Sequence, residues 1–266
     1  MIICDDRQFA FIHIPKCAGS SVRRALRPLD TSSEAFFRIA DHPVMGPVHL
    51  AHLTLANLAE FYPETFEKLA RYRSMAIVRD PLDRFTSAVF QRLREFRHVP
   101  QSAITRELFQ TDAEVVISNL QSAPARIDLQ YVHFNRQCDF IEFDGNILIG
   151  NLFALERMPE AADFIRQHTG IEIDEYRRNP TTELRFAAVR PMQRLFRDRY
   201  AKLVSAERRA HIREAMTRAG FYSEVPKNKF VEPGGPIDRF VHDYYARDFA
   251  IHDRLLQQSP APAPTS

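Results

Sequence analysis

The chain has no tryptophan, only three cysteines and almost no net charge. Cys4, Cys17 and Cys138 are an odd number with no metal-like spacing, which argues against a disulfide framework and for a reducing compartment. The 36 basic and 34 acidic side chains leave a formal charge of +2, too little for a general nucleic-acid coat. Any anion site must therefore come from local clustering. No apolar run approaches transmembrane length, and no signal peptide is visible. The first strand starts almost at Met1 and leaves no room for a stem or anchor. Taken as a full chain, this predicts a soluble cytoplasmic protein.

At 266 residues the chain fits one large α/β domain or two small ones, and its 21 phenylalanines are ample for a core. No internal repeat and no separating linker is visible. One domain over 1–256 is expected, then a disordered tail over 257–266 containing Ser259-Pro260-Ala261-Pro262-Ala263-Pro264. Phe9 to Ile14 is a nearly continuous apolar run, as in a strand covered on both faces. A helix from Ser20 to Leu26 follows and ends near Pro28. Thr31 to Pro47, with mixed polarity and two prolines, reads as loop. Thr54 to Phe61 predicts a helix capped by Thr54, and Thr65 to Tyr72 another. Ser74 to Val78 is a second buried strand, and a helix from Leu82 to Arg97 has Asp80 placed to cap it and Pro81 in its first turn.

Strand, loop and helix thus occur twice in succession. The fold class expected is α/β, a central parallel sheet flanked by helices, with ligands at the carboxyl ends of the strands. Farther along, Ile104 to Leu120 is helical in pattern. Phe140 to Phe143 and Ile147 to Ile149 are short strands around the turn Asp144-Gly145-Asn146. Pro159 to His168 is a helix stopped near Gly170, the basic stretch 190–219 is helical in pattern, and Asp238 to Leu256 reads as one last helix.

The chemistry concentrates after the first strand, in Pro15-Lys16-Cys17-Ala18-Gly19-Ser20-Ser21-Val22. A helix start presents unpaired N–H groups and the positive end of the helix dipole, which suits an anion. Lys16 adds a full charge, and Ser20 and Ser21 add hydroxyl donors. The lysine precedes the loop's only glycine, so this is not a Walker A loop, and a kinase or ATPase of the ordinary type is disfavoured. The second strand ends in Arg79-Asp80-Pro81-Leu82-Asp83-Arg84-Phe85-Thr86-Ser87. Arg79 and Ser87 could grip a second phosphate. Two separate anion grips suggest a nucleotide phosphorylated at two places.

On these residues the chain resembles the sulfotransferases that use 3′-phosphoadenosine 5′-phosphosulfate (PAPS). The resemblance is to the carbohydrate branch, which includes the heparan sulfate and chondroitin enzymes and their bacterial relatives. The family's Pro-Lys-x-x-Gly-Ser/Thr-Ser/Thr matches Pro15, Lys16, Gly19, Ser20 and Ser21. Its Arg-Asp-Pro-x-x-Arg-x-x-Ser matches Arg79, Asp80, Pro81, Arg84 and Ser87. Weaker likenesses are His133-Phe134-Asn135-Arg136-Gln137 to a His…Gln element, Ile149 to Glu156 to the strand that follows it, and Tyr244 to Phe249 to a closing Tyr-x-x-Asp helix.

The resemblance implies a P-loop-like sulfotransferase architecture and in-line sulfuryl transfer to a hydroxyl-bearing acceptor, a carbohydrate or a relative of one. Lys16 would stabilise the leaving phosphate. Main-chain groups of Cys17, Ala18, Gly19 and Val22, with the hydroxyls of Ser20 and Ser21, would hold the 5′ phosphosulfate, and no role is needed for the Cys17 side chain. Arg79 and Ser87 would hold the 3′ phosphate, and no metal is required. Heparan-type relatives place a catalytic histidine between the two motifs, where this chain has His49-Leu50-Ala51-His52-Leu53-Thr54. His52 is the better match for the general base and His49 the alternative. His49 and His133 are further candidates on the substrate side. His13 reads as structural, and Asp83 with Arg84 as a helix-surface pair. Arg194, Arg197, Arg199, Lys202, Arg208 and Arg209 read as a solvated helix face, with an anionic-glycan groove as the alternative. A P-loop-like nucleotide kinase and a non-catalytic nucleotide or sulfated-glycan binder are the competing functions.

Overall fold

The computed structural model describes residues 1–122, 128–173, 182–184, 222–224 and 230–258. The chain divides into two compact units, Met1–Tyr176 with Phe230–Ser266, and Arg177–Lys229. In the second, a strand Thr182–Leu184 pairs antiparallel with a strand Tyr222–Glu224. The basic stretch 190–219 and tail residues 259–266 lie outside the described residues.

The first unit opens with β1 (Ile2–Cys4), β2 (Phe9–Ile12) and α1 (Gly19–Leu26). The hairpin β3 (Ile39–His42) and β4 (Gly46–His49) follows, then α2 (Leu55–Phe61) and α3 (Pro63–Arg71). β5 (Arg73–Val78) leads into α4 (Pro81–Glu95) and α5 (Arg106–Ser122). The short hairpin β6 (Glu142–Phe143) and β7 (Asn146–Ile147) precedes β8 (Asn151–Ala154) and α6 (Met158–Thr169). With the second unit's strands as β9 and β10, the closing helices are α7 (Pro236–Tyr244) and α8 (Ala246–Gln257). Among the described residues no helix is long and apolar enough to cross a membrane.

The central sheet has the order β1-β2-β5-β8. β2 and β5 run parallel with Phe11 beside Met75, and β5 and β8 run parallel with Val78 beside Ala154. All four residues of β2 and the last five of β5 are buried, as central parallel strands require. The sheet is mixed rather than wholly parallel, because β1 runs antiparallel to β2 with Ile2 opposite Phe11. Only Asp5 to Gln8 join these two strands. That length closes a turn, with the Gln8 N–H donating to Asp5 O at 3.1 Å, but cannot make a parallel crossover.

Three other expectations need correction. The segment 31–47 is not all loop, since β3 and β4 pair with Ala40 opposite Val48. Pro47 is tolerated there because a two-stranded ladder has only edges. Phe140 belongs to a single helical turn, Cys138–Phe140, and pairing around Asp144 and Gly145 is confined to β6 and β7. The final helix is two helices, broken at Tyr245 (φ −104°, ψ 23°). That ring is buried, and its hydroxyl donates to Phe134 O at 2.6 Å, so a tertiary anchor interrupts the helical run.

The expected caps are present. Thr54 and Asn57 form a capping box on α2, and Asp80 accepts from Asp83 N at 2.8 Å at the start of α4. Val22 and Leu26 of α1, Ala161 and Ile165 of α6, and Ile251 and Leu255 of α8 pack into the core that contains the sheet. In place of tryptophan, phenylalanines make the large contacts: Phe85, Phe134 and Tyr245 form one cluster, Phe90, Phe109 and Phe230 another.

Arg92 of α4 and Asp112 of α5 form an ion pair that is almost fully buried. Tyr131 Oη lies 3.3 Å from the same guanidinium. Removing one member strands a desolvated charge. Asp112→Ala is expected to destabilise the fold by about 3 kcal/mol, and Asp112→Leu combined with Arg92→Met to restore most of that. Urea denaturation measures both; a negligible loss in Asp112→Ala would sink the assignment.

Candidate active site

The carboxyl ends of β2 and β5 lead into two segments that meet. After β2 the chain turns through Ile14 to Ala18 and opens α1. Lys16 (φ 68°) and Ala18 (φ 62°) are both left-handed although neither is glycine. Such a conformation costs roughly 1–2 kcal/mol per residue and persists only where the surroundings enforce it. No side chain caps α1. Its start is therefore open to an anion, apart from Ser21 N–H, which donates to Ala18 O at 3.2 Å. Ser20 and Ser21 are exposed there, and Val22 is buried beneath them.

Lys16 Nζ donates to Gln91 Oε1 at 2.8 Å, and Gln91 Nε2 donates in turn to the Glu95 carboxylate. Burial lowers the Lys16 pKa to about 8, and the neighbouring charges of Arg94 and Arg79 add to the shift. An ammonium that is hard to keep charged attracts an anion strongly. Ser87, half-buried, lies one helical turn before Gln91 on α4.

Arg79 stands directly after β5. Its Nη1 donates to Lys16 O at 3.2 Å, and its Nη2 lies 3.7 Å from Asp83. Its Nε is buried without a hydrogen-bond partner. Arg84 is not part of a surface pair. It is 1% exposed, donates through Nε to Pro15 O at 3.2 Å and through Nη2 to His133 O at 3.2 Å, and also donates to Asn135 O. These carbonyls lie outside the strand ladders, His133 in a single helical turn over Val132–Phe134. A guanidinium with five N–H donors can satisfy all three at once.

Four imidazoles meet above the loop. The His52 ring centroid lies 4.9 Å from His13, 4.4 Å from His49 and 5.1 Å from His133. Burial pushes His13 and His52 well below the ordinary histidine pKa, and the adjacent imidazoles reinforce this. Burial also lowers His49, and takes His133 down to about 3 with help from the Lys16 charge. All four rings are neutral at pH 7. Among the described residues no group of His, Cys, Asp and Glu is arranged to hold a metal ion.

The hydrogen bonds set the tautomers. His49 Nδ1 accepts from Ala51 N at 3.2 Å, so its proton sits on Nε2. His52 Nδ1 faces His13 O at 3.5 Å. A carbonyl only accepts, so Nδ1 carries the proton and the lone pair sits on Nε2.

A family model described as "Sulfotransferase family" matches residues 1–253. The chain belongs to the sulfotransferase family. Neither the curated proteins nor the solved structures compared with it yield a match.

In this sulfotransferase the residues singled out in sequence converge on one place. Lys16 and Arg79 are hydrogen-bonded neighbours, Ser87 shares α4 with the lysine's partner, and His49, His52 and His133 touch. The places of four neighbours were not legible. Arg84 matched a motif position but read as a surface residue, Gln137 stood only in the weak His…Gln likeness, and Gln91 carried no local signal. His13 looked structural, yet its ring lies where a Gly19 side chain would be. A Cβ on Gly19 would come 1.9 Å from His13 Cδ2. The glycine therefore serves a close approach between loop and ring. The only hint in the sequence was the loop glycine itself.

Gly19→Ala must displace either the ring or the start of α1, and is expected to cost about 2 kcal/mol. In a His13→Ala background the space is free, so the cost should largely disappear. Equal losses in the two backgrounds, read from urea midpoints, would contradict the contact.

Proposed function

We propose that this sulfotransferase moves the sulfuryl group of 3′-phosphoadenosine 5′-phosphosulfate to a hydroxyl of a carbohydrate or related acceptor. One observation carries the reading: the hydrogen bond from Arg79 to Lys16 O sets two anion grips side by side, against a histidine whose lone pair is on Nε2. The residues fit the donor. The uncapped start of α1, the Ser20 and Ser21 hydroxyls and Lys16 would hold the 5′ phosphosulfate. Arg79, with its unpartnered Nε, and Ser87 would hold the 3′ phosphate. The carbohydrate class of acceptor rests on the resemblance of the two motifs.

The donor supplies an electrophilic sulfur with a phosphate leaving group. The acceptor oxygen forms the new S–O bond as the S–O bond to the 5′ phosphate breaks. His52 Nε2 takes the hydroxyl proton, while the His13 carbonyl holds Nδ1–H and keeps the ring in that tautomer. Lys16 stabilises the charge that develops on the departing phosphate oxygen. His49 is the weaker candidate for the base, because its Nδ1 lone pair is occupied by Ala51 N–H and its Nε2 carries hydrogen.

Labelled sulfate from the donor should appear on an acceptor hydroxyl, and Lys16→Ala should lower kcat roughly 100-fold or more while leaving the unfolding midpoint close to wild type. His52→Ala should still bind adenosine 3′,5′-bisphosphate, yet lose transfer by about 100-fold or more. Binding of nucleotide without any transfer by the wild type would favour a non-catalytic binder.

The pH dependence follows from the two shifts. Protonating His52 removes the base, and its pKa is depressed, so the acid limb of kcat/KM should fall below the ordinary histidine value of 6.5. Lys16 is charged below its own pKa, so activity should decline as pH rises through about 8. An acid limb at or above the ordinary histidine value would rule out His52 as a buried base.

A further inference from the structure

We propose that Gln137 is a positioning residue that joins the lysine loop and Arg79 into one rigid clamp, so that the two grips bind a doubly phosphorylated ligand together. The proposal rests on the donor-binding reading above. Gln137 is fully buried. Its Oε1 accepts from Arg79 N at 3.0 Å and its Nε2 donates to Arg79 O at 2.8 Å. The carboxamide thus pairs with both main-chain groups of Arg79, as a neighbouring strand would, one residue past the point where β8 last pairs with β5 at Val78.

The same Oε1 accepts from Cys17 Sγ at 3.2 Å. Burial pushes the Cys17 pKa up to about 11, which keeps the thiol a donor. Cys17 lies between the two left-handed residues Lys16 and Ala18, so the loop is pinned at the centre of its strain. Gln137 is itself held. Its backbone N–H donates to Asp248 Oδ2 at 2.7 Å, and Cys138 N–H donates to Oδ1 at 2.8 Å. Asp248 is fully buried in the first turn of α8. One amide side chain therefore adds a buried link between the place for the 5′ group and the place for the 3′ group, beside the direct hydrogen bond from Arg79 to Lys16 O.

Rigidly linked subsites bind a two-headed ligand better than either head alone, and that surplus depends on the link. The readout is the affinity of adenosine 3′,5′-bisphosphate relative to adenosine 5′-monophosphate and adenosine 3′-monophosphate, measured by calorimetry. Gln137→Met fills the volume without the amide. The bisphosphate advantage is expected to fall about tenfold, while each monophosphate changes by less than about threefold. Should that variant fail to fold, Cys17→Ala removes the loop side of the link, together with a longer contact of the thiol to Pro15 O at 3.6 Å, and should lower the advantage by roughly threefold. An unchanged advantage in a folded variant overturns the proposal. So does an equal loss for all three ligands, the mark of general loosening. A wild type with no bisphosphate preference would instead overturn the donor-binding reading itself.

Discussion

A single buried guanidinium organises the site. Arg84 reaches from the first turns of α4 to Pro15 O on the lysine loop and to His133 O and Asn135 O on a segment some fifty residues farther along the chain. A hydrogen bond from a charged donor to a buried carbonyl contributes about 1.5–3 kcal/mol. The charge stays in an interior position because it meets carbonyl dipoles rather than apolar surface, with the Tyr245 ring 5.9 Å away. The lysine loop and the histidine segment are both fastened to this side chain, and the contact of Cys17 with Gln137 joins them again.

The loop held in this way is strained and crowded. Two non-glycine residues lie in the left-handed region, and the one glycine is pressed against the His13 ring. These departures from easy backbone geometry have a common consequence. The start of α1 lies against the His13 ring, and His133 is close enough to Lys16 to feel its charge, so the lysine loop and the imidazole cluster adjoin. Burial acts on both groups: it keeps the imidazoles neutral and lowers the Lys16 pKa to about 8.

The local signals were legible wherever a short stretch of chain decides the outcome. The apolar runs at Phe9 and Ser74 became adjacent parallel strands, Asp80 and Thr54 became caps, and Asp144-Gly145 became a turn. Strand pairing at the edge was not legible, because β1 is three residues long and takes its direction from the short turn that joins it to β2. Nor was the break at Tyr245, which a hydrogen bond to Phe134 O imposes on an otherwise helical pattern. Helix α3 begins at Pro63, slightly before the expected Thr65, since proline is well tolerated in a first turn.

By itself the sequence determined the elements that meet at the candidate site: a buried strand leading into Pro15-Lys16, a helix opening on Gly19-Ser20-Ser21, and a second strand leading into Arg79-Asp80-Pro81. These are contiguous, and their helix caps and charges act within a turn or two. Only the tertiary structure decided how they are joined. Arg84 turned from surface residue to interior brace, Cys17 gained a side-chain partner in Gln137, and His13 took the space that Gly19 leaves open. It also separated His52 from His49, through the His13 carbonyl and the Ala51 N–H that set their tautomers. Such roles depend on hydrogen bonds and contacts between residues far apart in the chain, and residue type and spacing carry no record of them.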